Sequence, residues 1–169
     1  MHLSVELRYP APVHAVGAML ADEPFVRWRA ERSGGPGGAV EQVDVTGSAA
    51  AGFTVAVRRE LPTDQIPSHV RTFVGGRLEI RQAEAWEPER DGTRAGTVSL
   101  EITGAPVRLT GTVRLAADPA DPTATVQTYS GEIKASVPLF GGAIEEAAAG
   151  AVRGALAAEE RAGREWLAR

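Results

Sequence analysis

The sequence predicts an α+β protein in which a curved antiparallel sheet wraps around one long C-terminal helix. The run from Ile144 to Arg169 contains no proline and carries apolar residues at helical spacing. Before it, apolar and polar residues alternate in short runs separated by turn-forming residues, as in strands with one buried face. That face needs a cover, and a helix of about 39 Å is long enough to provide it.

The composition fits an ordinary globular protein rather than a nucleic-acid binder. Of the 169 residues, 43% are hydrophobic and 24% charged, so we expect a single domain spanning residues 1–169. The formal net charge is -4, and the arginines form no run of the kind that binds phosphate backbones. We therefore expect no nucleic-acid partner, and no feature of the sequence specifies an oligomeric state.

Cysteine usage and the N-terminal residues bear on chemistry and location. The chain has no cysteine, which excludes disulfides, thiolate metal sites and cysteine nucleophiles. The first residues lack the apolar core of a signal peptide, and no apolar run approaches the roughly 20 residues of a membrane span. A cytoplasmic protein without an integral membrane segment is the expectation.

The first quarter of the chain predicts one strand followed by two short helices. Leu3, Val5, Leu7 and Tyr9 alternate with polar residues, and the prolines after Tyr9 end this strand. A helix should then run to about Ala21. Asp22 can cap a second helix from Glu23 to Ser33. The glycine-rich segment 34–38 has no GxGxxG spacing, so we interpret it as a flexible connection.

Six further strands are predicted between residues 39 and 137. Turn-forming clusters bound them, which favours an antiparallel meander. The segment from Pro62 to Gly76 is the longest connection, with a short helical turn near His69, and connections of this length are often functional lids. The predicted strands are about Val40–Thr46, Phe53–Leu61, Leu78–Trp86, Val98–Ile102, Val107–Leu115 and Thr125–Val137.

Several local motifs resemble a known superfamily. They are Tyr9-Pro-Ala-Pro, Leu61-Pro62 with Ile66-Pro67, Gly75-Gly76, Glu84-Ala-Trp86, Val137-Pro-Leu-Phe-Gly-Gly and Glu165-Trp-Leu. With the element order, they resemble the helix-grip fold of the START-like (SRPBCC) superfamily, and within it the actinobacterial DUF2505 family of unknown function. The resemblance covers essentially the whole chain. It implies a seven-stranded sheet gripping the C-terminal helix, and the family has no assigned catalytic residues that could be carried over to this chain.

A few polar side chains share the inner face of the predicted sheet. Strand periodicity places Arg59 with Val57, and Gln82 and Glu84 with Trp86. Because an unpartnered buried polar group costs about 1–3 kcal/mol, these groups must meet one another, water or a ligand. One interpretation is an internal ion pair, or a bulge that turns them outward. The other is that they orient the polar end of a ligand in a mostly apolar pocket.

The predicted inner stripe of the long helix is small in its middle. At helical spacing it comprises Ile144, Ala148, Ala151, Val152, Ala155, Ala162 and Trp166. The small residues either let the helix approach the sheet closely or leave the volume of a cavity. Glu159 is the one charge within the stripe, and we expect it to pair with an arginine or to reach solvent, with contact to a ligand as a further alternative.

These patterns define a candidate ligand site and three functional hypotheses. The leading hypothesis is non-catalytic binding, with transport or sequestration, of a hydrophobic small molecule such as a lipid, isoprenoid or polyketide. The alternative is a polyketide cyclase or aromatase that uses Arg59, Glu84 and Tyr129, and a third is a filled interaction module. No cofactor, catalytic residue or metal site is predicted, because the histidines lack carboxylates at ligand spacing. The candidate lining residues are Val55, Val57, Arg59, Leu78, Ile80, Gln82, Glu84, Trp86, Leu100, Leu109, Tyr129, Ile133, Ile144, Ala148, Val152, Ala155 and Glu159.

Overall fold

A computed structural model describes the chain except for the side chain of Gln65. It confirms the expected order of a strand, two short helices, six strands and a long helix. A 3-10 turn (Thr63–Gln65) and a short helix (α3) lie in the connection between the third and fourth strands. The elements are β1 His2–Tyr9, α1 Val13–Leu20, α2 Glu23–Ser33, β2 Ala39–Ser48, β3 Gly52–Leu61, α3 Ser68–Arg71, β4 Leu78–Trp86, β5 Arg94–Thr103, β6 Val107–Asp118, β7 Asp121–Ala135 and α4 Gly141–Leu167.

All strands belong to one antiparallel sheet, in the order β1-β7-β6-β5-β4-β3-β2. The meander from β2 to β7 agrees with the short connections seen in the sequence. The first strand pairs with the last, so that Val5 lies opposite Tyr129. As β1 and β2 form opposite edges of the sheet, α1 and α2 carry the chain from one edge to the other.

A pair of glycines allows a close backbone approach in the middle of the sheet. Gly111 of β6 lies directly opposite Gly131 of β7. A Cβ atom at Gly111 would overlap the carbonyl oxygen of Ser130, so only glycine fits there. Glycine within a strand often marks a close approach of two backbones, as it does here.

The long helix α4 is held at its C-terminal end by aromatic side chains of α2. The Trp166 ring lies edge-on to Phe25 at 5.5 Å and to Trp28 at 5.7 Å between ring centroids. Such pairs contribute about 0.5–1.5 kcal/mol beyond their buried area. This cluster packs α2 against α4. Because α2 also contacts β2, it covers that side of the sheet.

Several predicted strand and helix boundaries are corrected by the structure. The sequence predicts one strand that ends near Leu115 and another that begins near Thr125, but β6 reaches Asp118 and β7 starts at Asp121. Proline is tolerated there because Pro122 is exposed and lies where the pairing register of β6 and β7 shifts, so its missing N–H takes no part in the regular ladder. The last strand ends at Ala135 rather than Val137, and α4 begins at Gly141, three residues before Ile144.

The expected side-chain cap of α2 is absent, and Glu145 near the start of α4 binds the end of β7. Asp22 is the residue before α2, but its side chain makes no capping hydrogen bond. Glu145 lies beyond the first turn of α4, since the helix starts earlier than expected. Its carboxylate instead accepts hydrogen bonds from the Ala135 N–H at 3.1 Å and the Met1 amino group at 3.1 Å. It therefore ties the helix to the end of β7.

Candidate functional site

Two adjoining cavities lie between the concave face of the sheet and α4. The larger has a volume of about 310 Å³ and the smaller about 50 Å³. The larger volume is at the lower end of the range of roughly 300–1,000 Å³ that is typical of small-molecule sites. The cavities are continuous in their lining, because they share Arg59, Leu100, Leu109, Val152 and Ala155.

The larger cavity opens toward one end of the sheet. Its wall includes the last residue of β3, Leu61, and the first residue of β6, Val107. The last residue of β3 and the first residue of β6 lie at the same end of the sheet, because these two strands run in opposite directions. Ser33, Gly34 and Gly35 complete the wall, so the glycine-rich loop that the sequence suggested as a mere connection forms part of the cavity.

Most of the predicted lining residues lie where the sequence placed them. The helix contributes Ala148, Val152 and Ala155, and Ala151 of the same predicted stripe also lines the larger cavity. Small side chains on this stretch of α4 therefore leave open volume against the sheet. The predicted residues that line one or both cavities are Arg59, Ile80, Gln82, Leu100, Leu109, Tyr129, Ile133, Ala148, Val152, Ala155 and Glu159.

Six predicted lining residues belong to the filled core instead. They are buried but line neither cavity: Val55, Val57, Leu78, Glu84, Trp86 and Ile144. For three of them, neighbouring groups fill the space that a ligand would need. Trp86 stacks on Phe53, with 6.1 Å between ring centroids, and Arg29 of α2 covers Glu84. Leu78 lies against the turn at Gly104. Strand periodicity identifies the inner face but not the part of it that a helix fills.

The inner stripe of α4 includes one large residue that the sequence analysis omitted. Leu156 and Ala149 are buried, and Leu156 lines the smaller cavity. The buried positions Ala149, Leu156 and Gly163 recur every seven residues, so the inner face is rotated slightly from the predicted stripe. On the helix side, the smaller cavity is consequently bounded by Leu156, and the larger cavity is lined by Ala148 and Ala151.

Glu84 is a buried carboxylate whose two oxygens both accept hydrogen bonds from protein side chains. Its Oε1 accepts hydrogen bonds from Arg29 Nη2 at 2.9 Å and from Gln82 Nε2 at 3.0 Å. Its Oε2 accepts one from Trp86 Nε1 at 2.9 Å. The internal ion pair considered for the inward polar residues therefore exists, with Arg29 as its cation. Each oxygen of Glu84 is thus already engaged within the protein, and Glu84 lines neither cavity.

Arg29 connects this pair to the helix. Its Nη1 lies 3.5 Å from Oε2 of Glu159, which is 4% exposed. The expectation that Glu159 pairs with an arginine is thus confirmed. Burial opposes the charge of Arg29, but the attraction of Glu84 and then Glu159 outweighs it and raises the pKa of Arg29. Arg29 is a permanent cation that bridges β4 and α4 through α2.

The carboxylate of Glu159 is less well compensated. Burial raises its pKa above the usual 4.5, and the opposing attraction of Arg29 does not cancel this effect. Burial and then Glu84 and Glu159 also raise the pKa of Tyr129, so this phenol stays neutral. The Tyr129 hydroxyl accepts a hydrogen bond from Gln127 Nε2 at 2.8 Å.

Arg59 is the polar group common to both cavities. It is 5% exposed, and its Nη1 donates to Ser33 Oγ at 2.7 Å. Among the described residues, none accepts a hydrogen bond from its Nε. Burial lowers the pKa of Arg59, although the guanidinium remains charged at neutral pH. A buried cation with an unused donor thus faces the space between sheet and helix.

An apolar patch lies at the same end of the sheet as the larger cavity. Leu139 is fully exposed and adopts a φ of 66°, which is unusual for a residue with a side chain. Phe140 is half exposed, and its ring lies 4.8 Å from that of Phe73 in the connection between β3 and β4. In the part of the chain that the structure describes, no helix is long and apolar enough to cross a membrane.

Solved structures with the same architecture identify the fold. The chain aligns with the Zhui aromatase/cyclase from Streptomyces sp. R1128 at 18% identity and a TM-score of 0.60, covering 100% of this chain and 94% of that one. A START superfamily protein from Mycobacterium smegmatis aligns at 11% identity and a TM-score of 0.53, covering 98% of each chain. Norcoclaurine synthase from Thalictrum flavum, in complex with dopamine and hydroxybenzaldehyde, aligns at 15% identity and a TM-score of 0.53, covering 95% of this chain and 84% of that one.

The fold is therefore that of the START-like, helix-grip proteins. Within this class, residues 4–167 match the family described as "Protein of unknown function (DUF2505)", and the chain belongs to that family. No curated protein matches the sequence. At these identities the structural neighbours establish the fold alone, and function has to be argued from the site.

Proposed function

We propose that residues 1–169 act as one domain that binds a hydrophobic small molecule, such as a lipid, isoprenoid or polyketide. The ligand would occupy the cavity between the sheet and α4 for transport or sequestration. The observation that carries this proposal is the larger cavity of about 310 Å³, whose sheet side is lined by residues such as Ile80 and Ile133 and whose helix side is lined by alanines. A wall of this kind binds apolar surface without offering reactive groups.

The residues of the cavity favour binding over the cyclase alternative. That alternative required Arg59, Glu84 and Tyr129 to act on one substrate, yet Glu84 lines neither cavity and both of its oxygens are engaged. Burial raises the pKa of Tyr129, which makes its phenol a weaker proton donor than an exposed tyrosine. The polar groups of the wall are arranged to neutralise one another and to orient a ligand.

Native mass spectrometry of the protein purified from its natural source tests this proposal. We expect an apolar small molecule to co-purify with the wild type. Ala155 lines both cavities, so Ala155→Phe places an aromatic ring in the space where the ligand would lie. The amount of co-purifying ligand should fall at least tenfold. Ala143→Phe is the matched control, because Ala143 is exposed on the same helix and lines neither cavity.

Circular dichroism should show that both variants are folded, and Ala148→Phe provides a second filling variant should Ala155→Phe be unstable. Absence of any bound molecule from the wild type, or full retention of the ligand by both filling variants, contradicts the proposal.

A further inference from the structure

Two buried polar atoms in the smaller cavity lack hydrogen-bond partners. Within the described part of the chain, neither Nε of Arg59 nor Oε2 of Glu159 has one. Both side chains are more than nine-tenths buried and both line the smaller cavity. Each also acts electrostatically on the other, as the pKa of each responds to the other's charge. Oε2 of Glu159 has an ion-pair contact with Arg29 Nη1 at 3.5 Å but no hydrogen bond. The two side chains that line this small space thus hold one donor and one acceptor without a hydrogen bond.

An unsatisfied donor and acceptor are costly in such a place, because burial removes them from water. A ligand group that accepts from one and donates to the other would recover both hydrogen bonds. We propose that the ligand is an apolar alcohol or phenol, whose hydroxyl group lies in the smaller cavity and bonds Arg59 and Glu159 while its apolar body fills the larger cavity. This inference rests on the proposed function of the same site.

The charge balance of the cluster argues against an ionised ligand. The buried cations Arg29 and Arg59 match the buried carboxylates Glu84 and Glu159, so the four formal charges sum to zero. A ligand carboxylate would add an uncompensated buried charge beside Glu159, and a ligand ammonium would do the same beside Arg59. The cluster therefore favours a neutral polar group.

Among neutral groups, a hydroxyl satisfies both atoms best. A ketone can accept from Arg59 but offers no hydrogen to Glu159, whereas a hydroxyl both donates and accepts. It also suits either form of Glu159, whose pKa is raised by burial, since it can donate to the carboxylate or accept from the acid. The Tyr129 hydroxyl accepts from Gln127 and keeps its own hydrogen, which can reach a second lone pair of the ligand oxygen.

A calorimetric titration with three probes that share one ring system tests the inference. Naphthalene, naphthol and naphthoate bury nearly the same apolar surface but present no polar group, a hydroxyl and a carboxylate. We expect naphthol to bind about tenfold more tightly than naphthalene, because it gains a hydrogen bond to a charged group. Naphthoate should bind more weakly than naphthalene.

The variant Arg59→Met removes the donor and keeps the apolar stem. It should bring the affinity for naphthol to within about twofold of that for naphthalene. Arg58→Met is the matched control, since the neighbouring Arg58 pairs with Glu41 at 3.2 Å outside both cavities and its loss should leave the tenfold preference intact.

The outcomes separate this inference from the proposed function. Equal binding of naphthalene and naphthol by the wild type, or tightest binding of naphthoate, overturns the hydroxyl assignment and leaves apolar binding standing. A preference for naphthol that Arg59→Met preserves also overturns it. Failure of all three probes to bind overturns both proposals. If Arg59→Met does not fold, the wild-type ratio of naphthol to naphthalene decides alone.

Discussion

Buried charges in this protein are kept by multiple partners rather than by single ion pairs. Glu84 receives hydrogen bonds from Arg29, Gln82 and Trp86, while Arg29 also faces Glu159. Removing one member of such a pair typically costs about 3–5 kcal/mol, because the remaining charge is left buried. Glu159 is less well compensated, because its Oε2 only faces Arg29 at 3.5 Å. Burial therefore disfavours the charged form of Glu159 and raises its pKa.

This difference predicts a specific dependence of stability on pH. Because burial raises the pKa of Glu159 above 4.5, the folded state binds its proton more tightly than the unfolded state does. The contribution of Glu159 to the free energy of unfolding should therefore fall as pH rises from 4.5 through the raised pKa. Urea unfolding across this range should show the wild type losing stability relative to Glu159→Gln.

Asp118 provides the control of opposite sign. The Ala120 N–H and then Arg8 lower its pKa below 3.8, so its stabilising effect is present above that value and is lost as pH falls through the lowered pKa. Asp118→Asn should thus differ most from the wild type above this acid range. If the difference in the free energy of unfolding between the wild type and Glu159→Gln does not change with pH, burial does not raise the pKa of Glu159 and the prediction is wrong.

At the residue level, the sequence predicts which strand residues face inward but not what they meet. Arg59, Gln82 and Glu84 share strand parity with Trp86 or Val57, and all three are at least partly buried. The sequence of α2 contains nothing local that indicates the contact of Arg29 with Glu84 of β4. Such pairs depend on contacts between residues 55 positions apart, which periodicity cannot supply.

The element that shapes the site is α4, and its glycines show how closely it approaches the sheet. Gly163 packs on Tyr9, where a Cβ atom would overlap the ring carbon Cε1. Apart from the backbone of the helix itself, no atom lies within 4 Å of the position that a Cβ atom would take at Gly154. The helix is therefore tightly packed near its C-terminus and exposed at Gly154, which makes the two positions a matched pair.

The same substitution should have opposite effects at these two positions. Gly154→Ala should raise the free energy of unfolding by about 1 kcal/mol, since alanine favours the helix. Gly163→Ala should lower it by about 1–3 kcal/mol, because the buried Tyr9 ring cannot move away without repacking. Urea denaturation midpoints with unchanged slopes measure both effects. A stabilising effect at Gly163 would contradict the described contact.

At the level of elements, the helices and strands follow closely from the sequence, while their boundaries depend on longer-range contacts. Alternation and turn clusters identify each strand, but the hairpin between Asp118 and Asp121 is hidden by its prolines. The inner stripe of α4 was predicted from helical spacing, and Leu156 was missed because the exact rotation of the helix is set by the sheet.

For the molecule as a whole, function depends on volume that the chain leaves unfilled. A curved sheet covers α4, α2 fills one side of the space with Arg29 and aromatic side chains, and the alanines of α4 leave the other side open. The fold and this small-residue stripe could be predicted from the sequence. The position of the cavity could not, because it depends on which part of the inner face α2 and the glycine-rich loop occupy.

The measurement that tests the central claim most directly is an NMR titration with benzene, which binds in dry apolar cavities. Methyl resonances report where the probe binds. We expect saturable shifts of the methyl groups of Ile80, Leu109, Ile133 and Val152 in the wild type, and loss of these shifts in Ala155→Phe. Unchanged methyl resonances in the wild type, or the same saturable shifts in the filled variant, would contradict a ligand cavity between the sheet and α4.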